Sequence, residues 1–209
     1  MRNTGQLYVV GVGMGFETLT EEAKRIIGGA DLICGAPRMV AIARDHGLCK
    51  KEAVIYEEYR AERVFEKIAK NMQSEEKTDS REEVSVLLVS GDTGFYSAAH
   101  AVRMEMLKRK KEGREIVSDV IPIPGISSVS YFFAKCGLPW QDAKLISCHG
   151  REGAPVSAVR RNRLTFALTG NNTGELAETL CEYGFGELAV HIGQDLGSEK
   201  ERIIHTTVA

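Results

Sequence analysis

The sequence predicts an α/β fold in which short buried strands alternate with amphipathic helices. Two observations lead to this prediction. Apolar, β-rich runs such as Val84–Val89 end in glycine-bearing loops, and between them apolar residues recur at helical spacing. The chain has 209 residues, which is enough for one large domain or for two of about 100 residues each.

The first half of the chain is predicted to consist of βαβ units. Apolar and β-branched runs predict strands at residues 6–12, 32–34, 53–56, 84–89 and 119–123. Apolar stripes predict helices at residues 19–27, 61–72 and 95–106. Thr18 stands three residues before Glu21, the spacing of a capping box, so we expect Thr18 to cap the first helix.

The second half is predicted to be more mixed. Ser127 is expected to cap a helix that ends near Cys136, and Asn172 is expected to open another. Strands are predicted at residues 144–148, 164–168, 187–192 and 202–207. This change of character places a boundary at Gly125, with an N-terminal α/β domain at 1–125 and a C-terminal α/β domain at 126–209.

Composition excludes several classes of protein. The chain has 27 basic and 29 acidic residues, which argues against a nucleic-acid partner that would need phosphate neutralisation. No apolar run approaches the ~18 residues of a membrane span. The cysteines form no Cys-x-x-Cys pair, which is typical of reduced thiols, so we expect a cytoplasmic protein. Four histidines share no metal-ligand spacing with each other or with the cysteines, so no metal site is expected; they are His46, His100, His191 and His205.

Glycine-bearing loops follow the first, fourth and fifth predicted strands, at Gly11–Gly15, Ser90–Gly94 and Pro124–Ser128. Ligands of open α/β sheets bind at the carboxyl ends of the strands, so we expect these loops to converge on one ligand. Glycine would let such a ligand approach the backbone closely. The chain has Phe16 where a dinucleotide fingerprint needs its last glycine, and it has no Gly-x-x-x-x-Gly-Lys phosphate loop.

The loop sequences Gly-Val-Gly-Met-Gly, Ser-Gly-Asp-Thr-Gly-Phe-Tyr and Pro-Gly-Ile-Ser-Ser resemble, in order and spacing, the successive signatures of the tetrapyrrole methylases. Within this family of S-adenosylmethionine-dependent enzymes, residues 138–151 (Leu-Pro-Trp-Gln-Asp-Ala-Lys-Leu-Ile-Ser-Cys-His-Gly-Arg) are similar to the branch that methylates carbon 5 of precorrin-7 or cobalt-precorrin-7 in cobalamin biosynthesis. The resemblance implies two α/β domains with mainly parallel sheets, a cofactor cleft between them, and a homodimer. It also implies a precorrin-type substrate. A possible separate partner would methylate carbon 15 of the tetrapyrrole and remove a carboxyl group.

Carried over by position, the resemblance implies a set of residues that bind S-adenosylmethionine. These are Gly11, Gly13, Met14, Gly15, Ser90, Gly91, Asp92, Ser127, Ser128 and Leu168. The family usually has proline at the positions of Met14 and Thr93, and this departure favours the alternative of a catalytically lapsed cofactor-binding module. Another methyltransferase of the same family is the second alternative.

The chemistry of single residues leaves some roles open. The Asp92 carboxylate suits either an ammonium or hydroxyl of the cofactor or the cap of the following helix. Arg151 and Arg38 offer guanidinium groups for substrate carboxylates, and His149 offers a hydrogen bond or a base for the proton lost from carbon 5. Because the electron-rich macrocycle is itself the nucleophile, alignment is expected to dominate catalysis, with no obligatory nucleophilic side chain.

Overall fold

The computed structural model describes residues 5–73, 83–148 and 154–209. It has an α/β fold, as the sequence predicted, and its internal contacts divide the chain into two compact units, Met1–Ser128 and Val129–Ala209. No helix within the described ranges is long and apolar enough to cross a membrane.

The first unit contains a five-stranded parallel sheet with the strand order β3-β2-β4-β1-β5. Its strands are β1 (Gly5–Gly11), β2 (Leu32–Gly35), β3 (Val54–Tyr56), β4 (Val84–Val89) and β5 (Val117–Ile123). All of β2 and all but the first residue of β4 are buried, which explains their continuous apolar sequences: a parallel sheet is covered on both faces.

Helices cover both faces of this sheet. They are α1 (Glu21–Gly29), α2 (Pro37–Asp45), α3 (Ala61–Met72) and α4 (Ala99–Lys111). Leu87 and Val89 pack on the side of α3 and α4, whereas the alternate residues Val86 and Leu88 pack on the side of α1 and α2. Each face therefore has its own apolar core.

The N-terminal cap of α1 differs from the prediction. Thr20 is the cap, and its hydroxyl accepts a hydrogen bond from the Ala23 N–H at 3.1 Å. The assignment of Thr18 to a capping box with Glu21 is therefore wrong, because Thr18 lies in a separate 3₁₀ turn, Phe16–Thr18.

The second unit combines short helices with two small sheets. Its elements are α5 (Ser128–Cys136), β6 (Lys144–Ser147), α6 (Pro155–Arg161), β7 (Thr165–Leu168), α7 (Thr173–Glu182), β8 (Ala189–Gln194) and β9 (Arg202–Thr207). Strands β6 and β7 are parallel, whereas β8 and β9 are antiparallel. Phe133 of α5 packs on Phe166 of β7 with ring centroids 6.0 Å apart, which joins a helix to the parallel pair.

The order of strands in the first sheet decides where a ligand can bind. Strands β4, β1 and β5 are direct neighbours, and all three run in the same direction. Their carboxyl ends therefore meet at one edge, and the three glycine-bearing loops leave that edge side by side.

Candidate functional site

The loops after β1 and β4 are joined by a pair of backbone hydrogen bonds. The Gly13 N–H donates to the Gly91 carbonyl at 3.1 Å, and the Gly91 N–H donates to the Gly13 carbonyl at 3.0 Å. Both residues have left-handed backbones, with φ near +65°, a conformation that glycine adopts without strain. The two loops therefore form one fixed unit.

The loop after β5 packs directly onto this unit. A Cβ atom added to Gly125 would lie 2.6 Å from the Gly11 carbonyl oxygen and would also overlap the Gly91 carbonyl oxygen. A Cβ added to Gly11 would lie 2.6 Å from the Gly91 oxygen and 2.9 Å from the Gly125 nitrogen. Gly11 and Gly125 are thus explained by contacts between the loops. Close approach of a ligand is not required to explain why these two positions are glycine.

Thr18 shapes the first loop from inside the 3₁₀ turn. Its hydroxyl accepts hydrogen bonds from the N–H groups of Met14 at 2.8 Å and Gly15 at 3.1 Å, and it donates to the Gly15 carbonyl at 2.8 Å. This role was missed from the sequence because the Thr18–Glu21 spacing suggested a helix cap.

Asp92 connects the second loop to the third. One carboxylate oxygen accepts from the Gly94 N–H at 2.8 Å, and the other accepts from the Gly125 N–H at 3.2 Å. The capping role considered for Asp92 is wrong, because α4 begins at Ala99 and its N-cap position is Ala98. A carboxylate has about four lone-pair sites, so acceptor capacity remains after these two bonds.

The rim of the three loops has a definite hydrogen-bonding character. Six of its backbone N–H groups are engaged within the protein, by Thr18, by Asp92 or by the facing loop: those of Gly13, Met14, Gly15, Gly91, Gly94 and Gly125. The Asp92 carboxylate keeps acceptor capacity for a ligand. Such a rim suits a ligand that is rich in donors.

Several predicted cofactor positions lie together around Gly91. A Cβ atom at Gly91 would lie 3.7 Å from the Met14 methyl carbon and 3.8 Å from both the Ser127 Cα and the Ser128 nitrogen. Ser128 is the first residue of helix α5, so its backbone nitrogen marks the start of that helix at this cluster.

The predicted substrate residues have different outcomes. Arg38, in the first turn of α2, is exposed and donates from its guanidinium to the Ser90 hydroxyl at 3.4 Å, which places it beside the second loop. His149 and Arg151 lie outside the described residues. Leu168, a predicted cofactor position, ends β7 in the second unit, and its carbonyl accepts from the Cys148 N–H at 2.8 Å.

Within the described ranges, no group of three or more His, Cys, Asp or Glu side chains is arranged to hold a metal ion. His191 and His205 do come together, because they are directly opposite each other in β8 and β9, and their Nδ1 atoms share a hydrogen bond. This contact lies in the second unit.

Small molecules bind open α/β sheets at the carboxyl ends of parallel strands, and the three interlocked glycine-bearing loops lie at that edge. The sequence model of the family Tetrapyrrole (Corrin/Porphyrin) Methylases matches residues 6–209, which include all three loops. The chain belongs to the tetrapyrrole methylases, in agreement with the resemblance of its loop sequences.

Two curated relatives are similar to the chain. It is 30% identical over 205 residues to the precorrin-6Y C(5,15)-methyltransferase (decarboxylating) of Sinorhizobium sp, a match that covers 94% of this chain and 44% of that protein. It is 31% identical over 125 residues to the cobalt-precorrin-7 C(5)-methyltransferase of Salmonella typhimurium, which covers 59% of this chain and 57% of that protein. The matches thus span about half the length of these relatives.

Solved structures show the same fold. The uroporphyrin-III C-methyl transferase from Thermus thermophilus, crystallised with S-adenyl homocysteine, matches with a TM-score of 0.71 and 19% identity. The match covers 98% of this chain and 84% of that chain. At this level of identity the likeness shows the fold alone.

Proposed function

We propose that the protein is an S-adenosylmethionine-dependent C-methyltransferase that adds a methyl group to carbon 5 of precorrin-7 or cobalt-precorrin-7 in cobalamin biosynthesis. The observation that carries the proposal is the interlocking of the three loops, in a chain whose curated relatives have C5-methyltransferase names. The cofactor would supply an electrophilic methyl group, and the loops would hold it in a fixed orientation.

The hydrogen-bonding character of the rim supports this choice of cofactor. S-adenosylmethionine has donors in its ammonium, its ribose hydroxyls and its adenine amino group. The Asp92 carboxylate, which keeps acceptor capacity after its two bonds within the protein, matches those donors. The Met14 side chain, which lies over Gly91, supplies apolar contact.

Arg38 supports the choice of substrate class. Precorrins have several peripheral carboxylates, and a guanidinium binds a carboxylate through two parallel hydrogen bonds. Arg38 is exposed and reaches the second loop through Ser90, so a carboxylate bound there would hold the macrocycle next to the cofactor loops. His149 and Arg151 are proposed to bind the substrate on the basis of their sequence positions.

Calorimetry with S-adenosylhomocysteine tests the cofactor site. We expect one site per chain and clear weakening in Gly91→Val and Asp92→Ala. Gly113→Val is the matched control, because Gly113 has a similar φ of +68° but nothing within 4 Å of its added Cβ, so it reproduces the backbone strain away from the loops. If S-adenosylhomocysteine does not bind at tens of micromolar, its binding free energy is about −6 kcal/mol or weaker. That result would favour the catalytically lapsed cofactor-binding module.

A transfer assay tests the reaction and its position. Wild-type protein is incubated with cobalt-precorrin-7 and with S-adenosylmethionine labelled with ¹³C in its methyl group, and the product is analysed by NMR. A labelled methyl group on carbon 5 is the expected result. A label on another carbon would instead identify a different methyltransferase of the same family, and no transfer despite cofactor binding would leave the lapsed module.

We further propose a cytoplasmic homodimer that works with a separate protein for carbon 15 methylation and decarboxylation, and that has no nucleic-acid or membrane partner. The curated relative with both activities in its name is about twice as long as the match, which motivates the search for a partner. Analytical ultracentrifugation of the protein alone should give a dimer. A mixture with the carbon 15 enzyme that sediments as two independent species would count against a stable complex.

A further inference from the structure

Tyr96 has an unusual backbone conformation for a large side chain. Its φ is +48°, and among the described residues only Tyr96 and Asp195 combine a positive φ with a side chain. Bulky residues rarely adopt this region, because the Cβ atom crowds the backbone, and such outliers concentrate at functional sites. The chain therefore retains Tyr96 where a glycine would be less strained.

The loop around Tyr96 is held by the same contacts that build the candidate cofactor site. Asp92 binds the N–H of Gly94, two residues before Tyr96, and its backbone carbonyl accepts from the Phe95 N–H at 3.4 Å. The rings of Phe95 and Tyr96 meet edge to face, with centroids 4.8 Å apart and planes at 70°. The position of the Tyr96 ring is thus coupled to the geometry of the second loop.

The Tyr96 ring is also accessible, with an exposed fraction of 47%. Other large exposed side chains follow the two outermost strands of the same sheet: Tyr59 after β3, at 53%, and Ile126 after β5, at 41%. The exposed guanidinium of Arg38 follows β2, between β3 and β4 in the sheet. An edge that combines exposed apolar groups with a cation suits a flat, apolar ligand with acidic substituents.

We propose that Tyr96 is a substrate-positioning residue that stacks its ring on the tetrapyrrole and fixes the plane of the macrocycle relative to the methyl donor. This inference rests on the proposed function, because it presupposes a tetrapyrrole substrate. A conjugated macrocycle offers an extended π-face to an aromatic side chain, and stacking restrains the plane without adding charge. The left-handed backbone is the structural cost of presenting the ring from this loop.

The test compares Tyr96→Phe with Tyr96→Asn. Phenylalanine keeps the ring, whereas asparagine removes it and tolerates a positive φ. Met104→Asn is the matched surface control, because Met104 lies on helix α4, outside the loop, and is 52% exposed. For each protein we measure S-adenosylhomocysteine affinity, cobalt-precorrin-7 affinity from the change in its visible absorption band, and KM and kcat for methyl transfer.

The expected result is that Tyr96→Asn weakens cobalt-precorrin-7 binding about tenfold, so that the absorption change occurs at about tenfold higher concentration, with S-adenosylhomocysteine affinity unaltered. Tyr96→Phe and Met104→Asn should behave like the wild type. Unchanged tetrapyrrole binding in Tyr96→Asn would overturn the inference and leave the proposed function intact. Equal loss of both ligands would assign Tyr96 to loop geometry and also overturn it. Wild-type protein that binds S-adenosylhomocysteine but no tetrapyrrole would overturn the proposed function, and the inference with it.

Discussion

Gly13 and Gly91 exchange two backbone hydrogen bonds, so that an antiparallel bridge connects loops that leave two parallel strands. The bridge forms because both loops turn back at their left-handed glycines immediately after β1 and β4. It uses the N–H groups that a ligand would otherwise bind, and it fixes the carbonyl oxygens in place. The two loops are therefore fixed to each other before any ligand arrives.

Gly125→Ala is predicted to destabilise this edge. The added Cβ would be 2.6 Å from the Gly11 carbonyl oxygen, and backbone atoms on neighbouring strands cannot move away easily. We expect a loss of about 1–3 kcal/mol in the free energy of unfolding, as in other overpacked interiors, together with weaker S-adenosylhomocysteine binding. Urea unfolding followed by circular dichroism measures the first effect.

The control for this substitution is Gly29→Ala at the end of α1, where an added Cβ meets nothing within 4 Å. We expect Gly29→Ala to have equal or greater stability than the wild type, since alanine favours a helix. Wild-type stability in Gly125→Ala would show that the loops can separate, contrary to the interlocked arrangement.

Thr18→Val is predicted to weaken cofactor binding through the shape of the first loop. Valine keeps the branched shape but removes the hydroxyl that binds Met14 N–H, Gly15 N–H and the Gly15 carbonyl. We expect a stability loss of about 1–3 kcal/mol and a lower affinity for S-adenosylhomocysteine, measured by calorimetry.

Thr20→Val is the paired control, because Thr20 caps α1 through one bond to Ala23 and does not touch the first loop's N–H groups. It should cost about 1 kcal/mol of stability without changing S-adenosylhomocysteine affinity. If the two variants lower the affinity equally, the effect comes from general destabilisation and Thr18 has no special role.

These loop contacts mark the limit of prediction from sequence. The strands were predictable, because runs such as Val84–Val89 are buried on both faces and, apart from Ser85, consist of apolar residues. Thr18 was misassigned because its spacing to Glu21 suggests a helix cap, whereas its hydroxyl binds the preceding loop at Met14 and Gly15. The partners of Gly91 and Gly125 were not predictable, because they depend on which strands are neighbours in the sheet.

Helices α2 and α6 were also missed, and for a shared reason. In both, the overlooked signal is the start of the helix rather than its apolar face. Each has a proline at its start, Pro37 and Pro155, where the fixed φ suits the first turn. That signal was available in the sequence. The candidate substrate residue Arg38 lies on one of these helices, which explains its position at the edge.

Cys34 is predicted to be inert towards thiol reagents in the folded protein. Burial in β2 raises the pKa of its thiol from 9.0 to about 12, so almost no thiolate is present at neutral pH. Exposed Cys181 should react rapidly with a chromogenic disulfide at about pH 8, and Cys34 should react only after unfolding. Peptide mapping after timed labelling distinguishes the two; fast labelling of Cys34 without denaturant would contradict its burial.

Glu201 is predicted to make the second unit sensitive to acid. Its carboxylate accepts from the Gly197 N–H at 2.7 Å and the Tyr131 hydroxyl at 2.7 Å, and it pairs with Lys135 at 3.0 Å. These contacts lower the pKa of Glu201 from 4.5 to about 2. Because the folded pKa lies below the unfolded value, the stabilisation is present above about pH 4.5 and is lost as the pH falls towards 2.

Glu201→Gln removes the charge but keeps the shape, so the variant should be less stable than the wild type near neutral pH and should lose less stability on acidification. The measurement is the urea midpoint at about pH 7, 4.5 and 3, followed by near-ultraviolet circular dichroism. Glu199→Gln, an exposed change in the same loop, should reproduce the wild-type acid dependence. Parallel pH profiles for the wild type and Glu201→Gln would mean that Glu201 does not hold α5 to the loop before β9. The difference in urea midpoint at neutral pH should then also disappear, because the same three contacts of Glu201 produce both the neutral-pH stability and the acid sensitivity.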